Sequence, residues 1–301
     1  MRIGIDLGGT KTEIIVLDEQ GEIRLRRRVP TIRGDYDATL RSLHELVTSA
    51  ETEIGHRCSV GIGIPGVTSP ATGLIKNANS TWLIGKPFEE DLQKLLQRPL
   101  HLANDANCFA LSEAVDGAAA GAQNVFGVIL GTGVGGGIVI DGKVLNGCNA
   151  IAGEWGHNPL PWPQAEELPG PKCYCGRCGC IETFLSGPGL MADHLLHTGQ
   201  KRSGEEIATR TEGAASLRRH AHRLARALAS VINLLDPDFI VLGGGLSNIE
   251  SLYSEVPKLW QMYVFSDQVT TRLVRNLHGD SSGVRGAAWL WPSGSTSNNR
   301  R

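Results

Sequence analysis

Residues 1–17 alternate apolar Ile3, Ile5 and Leu7 with small or polar neighbours, break at Gly8-Gly9, and resume as Ile14, Ile15, Val16 and Leu17. That period of two, interrupted by glycine, predicts strand, tight turn, strand. The same grammar returns at 125–145, where VFGVIL leads into GTGVGGG and then IVIDGKVL. One architecture is therefore expected twice in the chain. Between the two hairpins, Tyr36 to Ile54 places Leu40, Leu43, Leu46, Val47, Ala50 and Ile54 at helical spacing, and VGIGIPG at 60–66 reads as a buried strand running into a turn. A βαβ unit follows from that order. Next come a loop over 67–87, a helix near Phe88 to Leu96, a short strand at Leu100 to Ala103 and an alanine-rich helix from Asp105. The Gly/Pro/Cys-rich segment 146–189 is expected to be irregular, whereas Ala214 to Leu235 is strongly amphipathic and stops at Asp236-Pro237 before the strand FIVLGGG. VRGAAWLW at 284–291 predicts a last helix, and the polar stretch 293–301 is expected to be disordered.

Two glycine-hairpin domains with interleaved helices point to a two-lobed α/β protein with an interlobe cleft. The alternative is one doubly wound sheet. A doubly wound nucleotide fold follows its glycine turn with a helix, but Thr12 to Leu17 is β-branched and apolar like a strand. The expected division is an N-terminal lobe over 1–116, completed by helix 284–291, and a C-terminal lobe over 117–283.

A length of 301 residues suits two such domains. The formal charge of −2 argues against general affinity for nucleic acid, and the Arg26-Arg27-Arg28 triplet reads as a solvated strand end. The opening MRIGIDLGG lacks a signal-peptide pattern, and no stretch approaches the roughly eighteen apolar residues of a membrane span. A cytoplasmic location is expected, with no membrane partner. In a reducing compartment a dense cysteine run binds metal or does chemistry more often than it forms disulfides.

The glycine turns carry the first candidate chemistry. Asp6-Leu7-Gly8-Gly9-Thr10-Lys11 sets an acid before two glycines and a hydroxyl and a cation after them. Backbone N–H groups, Thr10 and Lys11 suit phosphate oxygens, and Asp6 suits a magnesium ion. An ordinary hairpin turn would also use Gly-Gly. The second turn, from Gly131 through Thr132 and Gly133 to Gly137, holds five glycines in seven residues, more than a hairpin requires. A third cluster, Gly243-Gly244-Gly245, ends the strand FIVL. Three such turns at strand ends favour a nucleotide ligand.

Asn104-Asp105-Ala106-Asn107 lies between a short strand and a helix, where Asp105 is either an N-cap or a carboxylate free to accept a proton. Cys173, Cys175, Cys178 and Cys180 crowd into eight residues. Four thiolates so close in sequence can hardly wrap one tetrahedral ion, so a ligand from elsewhere is expected, with His157 the candidate. Spacing alone nominates the Cys175-x-x-Cys178 knuckle. Cys58, Cys108 and Cys148 read as buried small hydrophobes.

DLGGTK (6–11), NDAN (104–107), GTGVGGG, EWGH (154–157) and CxCGxxGCxE (173–182) together resemble the ROK family of repressors, open reading frames and kinases, within the sugar kinase, actin and Hsp70 superfamily. The resemblance implies a duplicated actin/hexokinase-like, ribonuclease H-like fold. It implies Asp105 as catalytic base, with Asn104, Glu154, His157 and Glu182 on sugar hydroxyls and Asn79 as a further sugar-loop candidate. ATP and magnesium would be held at Asp6, Gly8, Gly9, Thr10, Lys11, Thr132, Gly133, Gly244 and Gly245. A structural zinc would sit on His157, Cys173, Cys175 and Cys180 within the loop 154–182, leaving Cys178 as an extra thiol. Longer stretches such as KNANSTWLIGKPF and HGDSSGVRGAAWLWP resemble the fructokinases of that family, which implies phosphorylation of the 6-hydroxyl of fructose, and of mannose as a second sugar. The alternative is another hexose or N-acetylhexosamine kinase. A sugar-sensing regulator is disfavoured because the DLGGT turn begins at residue 6, with no helix-turn-helix before it. A homodimer is implied by the same resemblance.

Overall fold

The computed structural model describes residues 1–292; the stretch 293–301 lies outside the described residues. The chain divides into two compact units: Met1–Asp116, Asn146–Ile151 and the segment from Asp280 onward form the first, and Gly117–Leu145 with Ala152–Gly279 form the second.

The first unit opens with β1 (Arg2–Leu7), β2 (Lys11–Leu17) and β3 (Ile23–Pro30), continues through α1 (Tyr36–Ile54) to β4 (Ser59–Ile64), and makes a small hairpin of β5 (Val67–Thr68) and β6 (Ile75–Lys76). After α2 (Phe88–Leu96) come β7 (His101–Asn104) and α3 (Asp105–Val115). Its sheet has the order β3-β2-β1-β4-β7, antiparallel across β1, β2 and β3 and parallel across β1, β4 and β7. Ile3, Ile5, Ile14, Val16, Val60 and Ile62 fill its core with Leu43, Val47 and Leu92 from the helices.

The second unit repeats the pattern. Strands β8 (Asn124–Leu130), β9 (Val134–Ile140) and β10 (Lys143–Val144) form the antiparallel side, followed by α4 (Ile181–Leu185), α5 (Gly187–Thr198), α6 (Gly204–Thr209) and α7 (Ala214–Leu235). Then β11 (Phe239–Gly243), α8 (Ser251–Trp260) and β12 (Arg272–Arg275) complete it. The sheet order β10-β9-β8-β11-β12 reproduces, strand for strand, the antiparallel and parallel pairings of the first sheet. The expected duplicated α/β fold is present.

Helix α9 (Ser282–Trp289) returns to the first unit and packs there on glycine. Gly4 and Gly61 are partners in the parallel register of β1 and β4. A Cβ on Gly4 would stand 2.1 Å from the Val284 carbonyl oxygen, and one on Gly61 would stand 1.9 Å from that of Ala287. Gly286, on α9, meets α3 so closely that a Cβ would fall 1.6 Å from the Cys108 carbonyl oxygen. Backbone thus rests on backbone on both faces of this helix.

Three expectations need correction. The arginine triplet is solvated but is not a strand end: it sits inside β3, where alternation sends the Nε atoms of exposed Arg26 and Arg28 to buried Glu13 at 2.6 and 2.7 Å and Arg27 to Ser49 and Glu53 on the other face. The segment 146–189 is not wholly irregular, because α4 and the start of α5 lie in it; the Ser186 hydroxyl accepts from the Gly189 amide at 3.1 Å, and Pro188 occupies the first turn, where its missing N–H is no loss. Cys148 is exposed, unlike Cys58 and Cys108, because it stands in the short loop Asn146–Ile151.

Substituting Gly286→Ala should cost about 3 kcal/mol or more, since rigid backbone cannot move aside for the new methyl. Urea denaturation checks this; a midpoint equal to that of the unsubstituted chain would show that α9 does not sit as described.

Candidate active site

In the first unit, β7 ends at Asn104, and the chain turns directly into α3. Asn104 is the N-cap: its Oδ1 accepts from the Ala106 amide at 2.9 Å. The cap role that sequence offered to Asp105 is taken by its neighbour. Asp105 is the first helical residue, exposed, with its Oδ1 also 2.8 Å from the Ala106 amide. A carboxylate at a helix start is favoured by the positive end of the helix dipole.

Asp6, at the end of β1, belongs to the same electrostatic group. Burial, and then the charge of Asp105, pushes its carboxyl up to about 6. Buried Cys108, one helical turn into α3, is raised by burial and by the same two acids. The structure therefore brings Asp6 and Asp105 together, as two carboxylates that are costly to ionise side by side.

The hairpin after β1 is held from outside. Thr31 donates its hydroxyl to the Gly8 carbonyl at 2.8 Å and also pairs with the Thr12 hydroxyl at 2.9 Å. Arg33 Nε donates to the Gly9 carbonyl at 2.5 Å. With its carbonyls engaged, the turn leaves Gly9, Thr10 and Lys11 exposed. Asn79 is exposed in the loop after β6, its backbone amide bonded to the Pro65 carbonyl at 3.0 Å.

In the second unit, the turn between β8 and β9 closes with the Gly131 amide on the Gly133 carbonyl at 3.0 Å. Thr132 at its tip is exposed. Glu182 clasps this turn: its Oε2 accepts from the Val134 amide at 2.9 Å, and a Cβ on Gly133 would stand 2.7 Å from that oxygen. Glu182 thus packs directly on the Gly133 backbone. The Gly187 amide, opening α5, donates to the Gly131 carbonyl at 2.8 Å. Gly244 has φ of 79°, and a Cβ there would meet the Leu130 carbonyl oxygen at 2.5 Å, which brings the end of β11 beside the end of β8. Gly244 and Gly245 are both exposed.

His157, Cys173, Cys175 and Cys180 place four ligand atoms within 4.8 Å of one another. His157 Nδ1 is 3.6 Å from Cys173 Sγ, and Cys175 Sγ is 3.6 Å from Cys180 Sγ. Such separations suit the edges of a tetrahedron whose bonds are about 2.0 to 2.3 Å. Hydrogen bonds from the backbone and side chain of Arg177 pull the Cys175 thiol down to about 6, toward the thiolate a metal takes, while burial pushes Cys180 up. Cys178 is exposed on a strand bridge opposite Lys172, outside the cluster. The knuckle suggested by spacing is not formed. Glu154 is exposed at the start of the short turn Trp155–His157.

Two residues that sequence reasoning passes over matter here. Tyr174 places its hydroxyl 2.9 Å from His157 Nε2, and Arg177 conditions Cys175. Both lie inside the cysteine motif, and that position is the one signal they carry.

The chain matches the family described as "ROK family" over residues 2–293. It is 41% identical to an N-acetyl-D-glucosamine kinase of Yersinia pseudotuberculosis across 96% of this chain and 98% of that protein. It is likewise 41% identical to one of Shigella boydii, across 96% and 99%. Among solved structures it is similar to a ROK hexokinase from Thermus thermophilus (TM-score 0.84, 31% identity, 96% of this chain and 97% of that one). It is also similar to a ROK glucokinase from Streptomyces griseus in complex with glucose and AMPPNP (TM-score 0.76, 26% identity, 96% and 98%). The chain belongs to the ROK family. The fructokinase expectation, with fructose and mannose as substrates, is overturned, because these relatives at 41% identity are N-acetyl-D-glucosamine kinases. No helix among the described residues is long and apolar enough to cross a membrane.

The Asp6 carboxyl makes the stability of the ligand-free protein depend on pH. Its folded value of about 6 lies above the ordinary 3.8, so its contribution is full below pH 3.8 and is lost as pH rises through about 6, by up to roughly 3 kcal/mol. Asp6→Asn should therefore stabilise the chain at pH 8 and change little at pH 4. Denaturation midpoints that run parallel for the two proteins from pH 4 to pH 8 would contradict the assignment.

Proposed function

We propose that this ROK-family chain is an ATP-dependent N-acetyl-D-glucosamine kinase that phosphorylates the sugar 6-hydroxyl. The observation that carries the reading is the likeness, at 41% identity over nearly the whole of both chains, to relatives with that activity.

In this reading the sugar oxygen forms a bond to the γ-phosphorus, the bond from that phosphorus to the β–γ bridging oxygen breaks, and the hydroxyl proton passes to Asp105. The exposure of Asp105 supports that role, and Asn104 fixes its helix start through the cap. We assign Asn79, Asn104, Glu154, His157 and Glu182 to sugar hydroxyls. Glu182 spends one oxygen on the Val134 amide, and a carboxylate has lone pairs to spare for a hydroxyl. His157 turns Nδ1 to the cysteines and Nε2 to the Tyr174 hydroxyl, so one ring can serve a metal with one nitrogen and a sugar with the other. The phosphates fall to Gly8, Gly9, Thr10, Lys11, Thr132, Gly133, Gly244 and Gly245, whose exposed backbone leaves room for them.

Magnesium bound with ATP supplies positive charge for the transferring phosphoryl group. Asp6 fits it, because its raised carboxyl beside Asp105 is the kind of site that a cation relieves. The four-ligand set His157, Cys173, Cys175 and Cys180 fits zinc in number, softness and spacing. Its role is to hold a loop segment still, and no proton or phosphoryl group passes through it. The homodimer implied by the family resemblance is kept as part of the same reading.

A steady-state screen of N-acetyl-D-glucosamine, glucose, mannose and fructose with ATP and magnesium tests the substrate. N-acetyl-D-glucosamine should give the highest kcat/KM; a preference for any of the others would refute the reading. Asp105→Asn should fold, bind sugar and lose about a hundred- to ten-thousandfold in kcat. Turnover near that of the parent would remove Asp105 from the role of base.

The metal assignment has its own test. Cys180→Ser should lose a tightly held zinc and Cys178→Ser should keep one per chain, as read by mass spectrometry of the purified proteins. Structural zinc carries about 10 to 16 kcal/mol of apparent binding free energy in small peptides, but two cores remain here, so Cys180→Ser should lose sugar affinity without unfolding. The reverse pattern of zinc content would restore the Cys175-x-x-Cys178 knuckle.

A further inference from the structure

A cavity of about 200 Å³ opens in the first unit beside Asn104. That is several times the roughly 30 Å³ of a water molecule. Its wall combines apolar Val67, Ala103 and Ala150 with polar Thr68, Asn104 and Asn146. The polar groups carry unspent hydrogen-bonding capacity. Thr68 Oγ1 is buried and has no hydrogen-bond partner among the described residues. Asn104 uses Oδ1 for its cap, which leaves its Nδ2 as a donor. Asn146 accepts from Asn107 Nδ2 through its Oδ1 at 3.3 Å, and again the NH₂ remains.

The wall is also built to stay in place. Thr68 lies on the β5–β6 hairpin, where it pairs with Ile75, and a Cβ on Gly66 just before it would fall 2.7 Å from that of Ala78. The segment Asn146–Ile151 groups with the first unit although second-unit residues flank it in sequence. Lys76 Nζ holds it by donating to the Asn149 carbonyl at 3.0 Å, and Ala150 adopts φ of 52°, a left-handed conformation that few non-glycine residues take.

A sugar hydroxyl would use the polar half of such a cavity and leave the apolar half wetted. An acetamido group uses both: its methyl suits the Val67, Ala103 and Ala150 side, and its carbonyl suits donors. Glu89 also lines the cavity, and burial pushes its carboxyl up from the usual range. We propose that this cavity receives the acetamido substituent of the substrate, so that Thr68 and Val67 decide between a 2-acetamido and a 2-hydroxyl hexose. The inference rests on the N-acetyl-D-glucosamine kinase reading and adds where its selectivity resides. A site that pairs a substrate's polar group discriminates against the analogue lacking it, because its own groups are then left unmatched.

The test compares kcat/KM for N-acetyl-D-glucosamine and for glucose in the parent, Thr68→Val and Val67→Phe, with thermal unfolding as a check on folding. Thr68→Val keeps the shape and removes the hydroxyl; N-acetyl-D-glucosamine should lose about ten- to a hundredfold while glucose stays within about twofold. Val67→Phe fills the cavity and should lose more than about a hundredfold on N-acetyl-D-glucosamine, reversing the preference. A parent that prefers the acetamido sugar, with both variants keeping that ratio or losing both sugars in parallel, overturns the inference alone. A parent with no such preference overturns the kinase reading beneath it.

Discussion

The first unit depends on the close approach of α9 to backbone on two sides. Gly4 and Gly61 leave a furrow across β1 and β4 into which its carbonyls settle, and Gly286 lets α3 lie against it with no side chain between. Contact at that range gives dense dispersion and leaves no slack. The consequence reaches the candidate site, because α3 begins at Asp105 and Asp6 is the last residue but one of β1. Further bonds repeat the tie: Ser282 donates to buried Glu113 at 2.8 Å, and Trp289 Nε1 donates to Asp116 at 2.9 Å. The position of Asp105 is therefore set by the last helix of the chain and the first strand.

In the second unit the equivalent path runs through the metal segment. Cys180 is the residue before α4, Glu182 lies in the first turn of α4, and Glu182 holds the Val134 amide of the glycine turn. Ser186 then caps α5, whose Gly187 amide reaches back to Gly131. Seven residues thus connect a metal ligand to both sides of one turn. The cysteine cluster and the glycine turn, far apart in the motif list, are mechanically adjacent.

Where hydrophobic period governed the structure, sequence carried it well. Tyr36–Ile54 and Ala214–Leu235 form helices over the stretches that their apolar spacing indicates, and both glycine hairpins pair as expected. Where packing or a cap overrode local composition, it did not. Gly187-Pro188-Gly189 looks like a loop but opens a helix, because Ser186 supplies the cap and Pro suits the first turn. The arginine triplet looks like a strand end until Glu13, buried at 2% exposure on the neighbouring strand, shows why the exposed Arg26 and Arg28 lie on one face together. Which of Asn104 and Asp105 caps the helix could not be sorted from type alone, since either residue fills that role. The cluster of His157 with Cys173, Cys175 and Cys180 was legible through family resemblance and not through spacing, and Cys178 stands outside it on a bridge opposite Lys172.

The substrate expectation failed for a related reason. DLGGTK, NDAN, EWGH and the cysteine motif report phosphate transfer and the binding of hydroxyls that many hexoses share, so they cannot separate fructose from an acetamido sugar. Several of these residues lie at or next to the carboxyl end of a strand in a parallel pair: Asp6 is last but one in β1, Asn104 ends β7, Gly131 follows β8, and Gly244 follows β11. Strands in parallel register deliver their exits to one edge, which is why ligands gather there in open α/β sheets. Between those exits lie the connections, and they differ freely in length and composition. The hairpin after β4 and the segment Asn146–Ile151 are such connections, each fastened to the scaffold by a few bonds of its own. In the reading proposed here, reaction type follows from the strand ends, and choice of sugar follows from the loops between them.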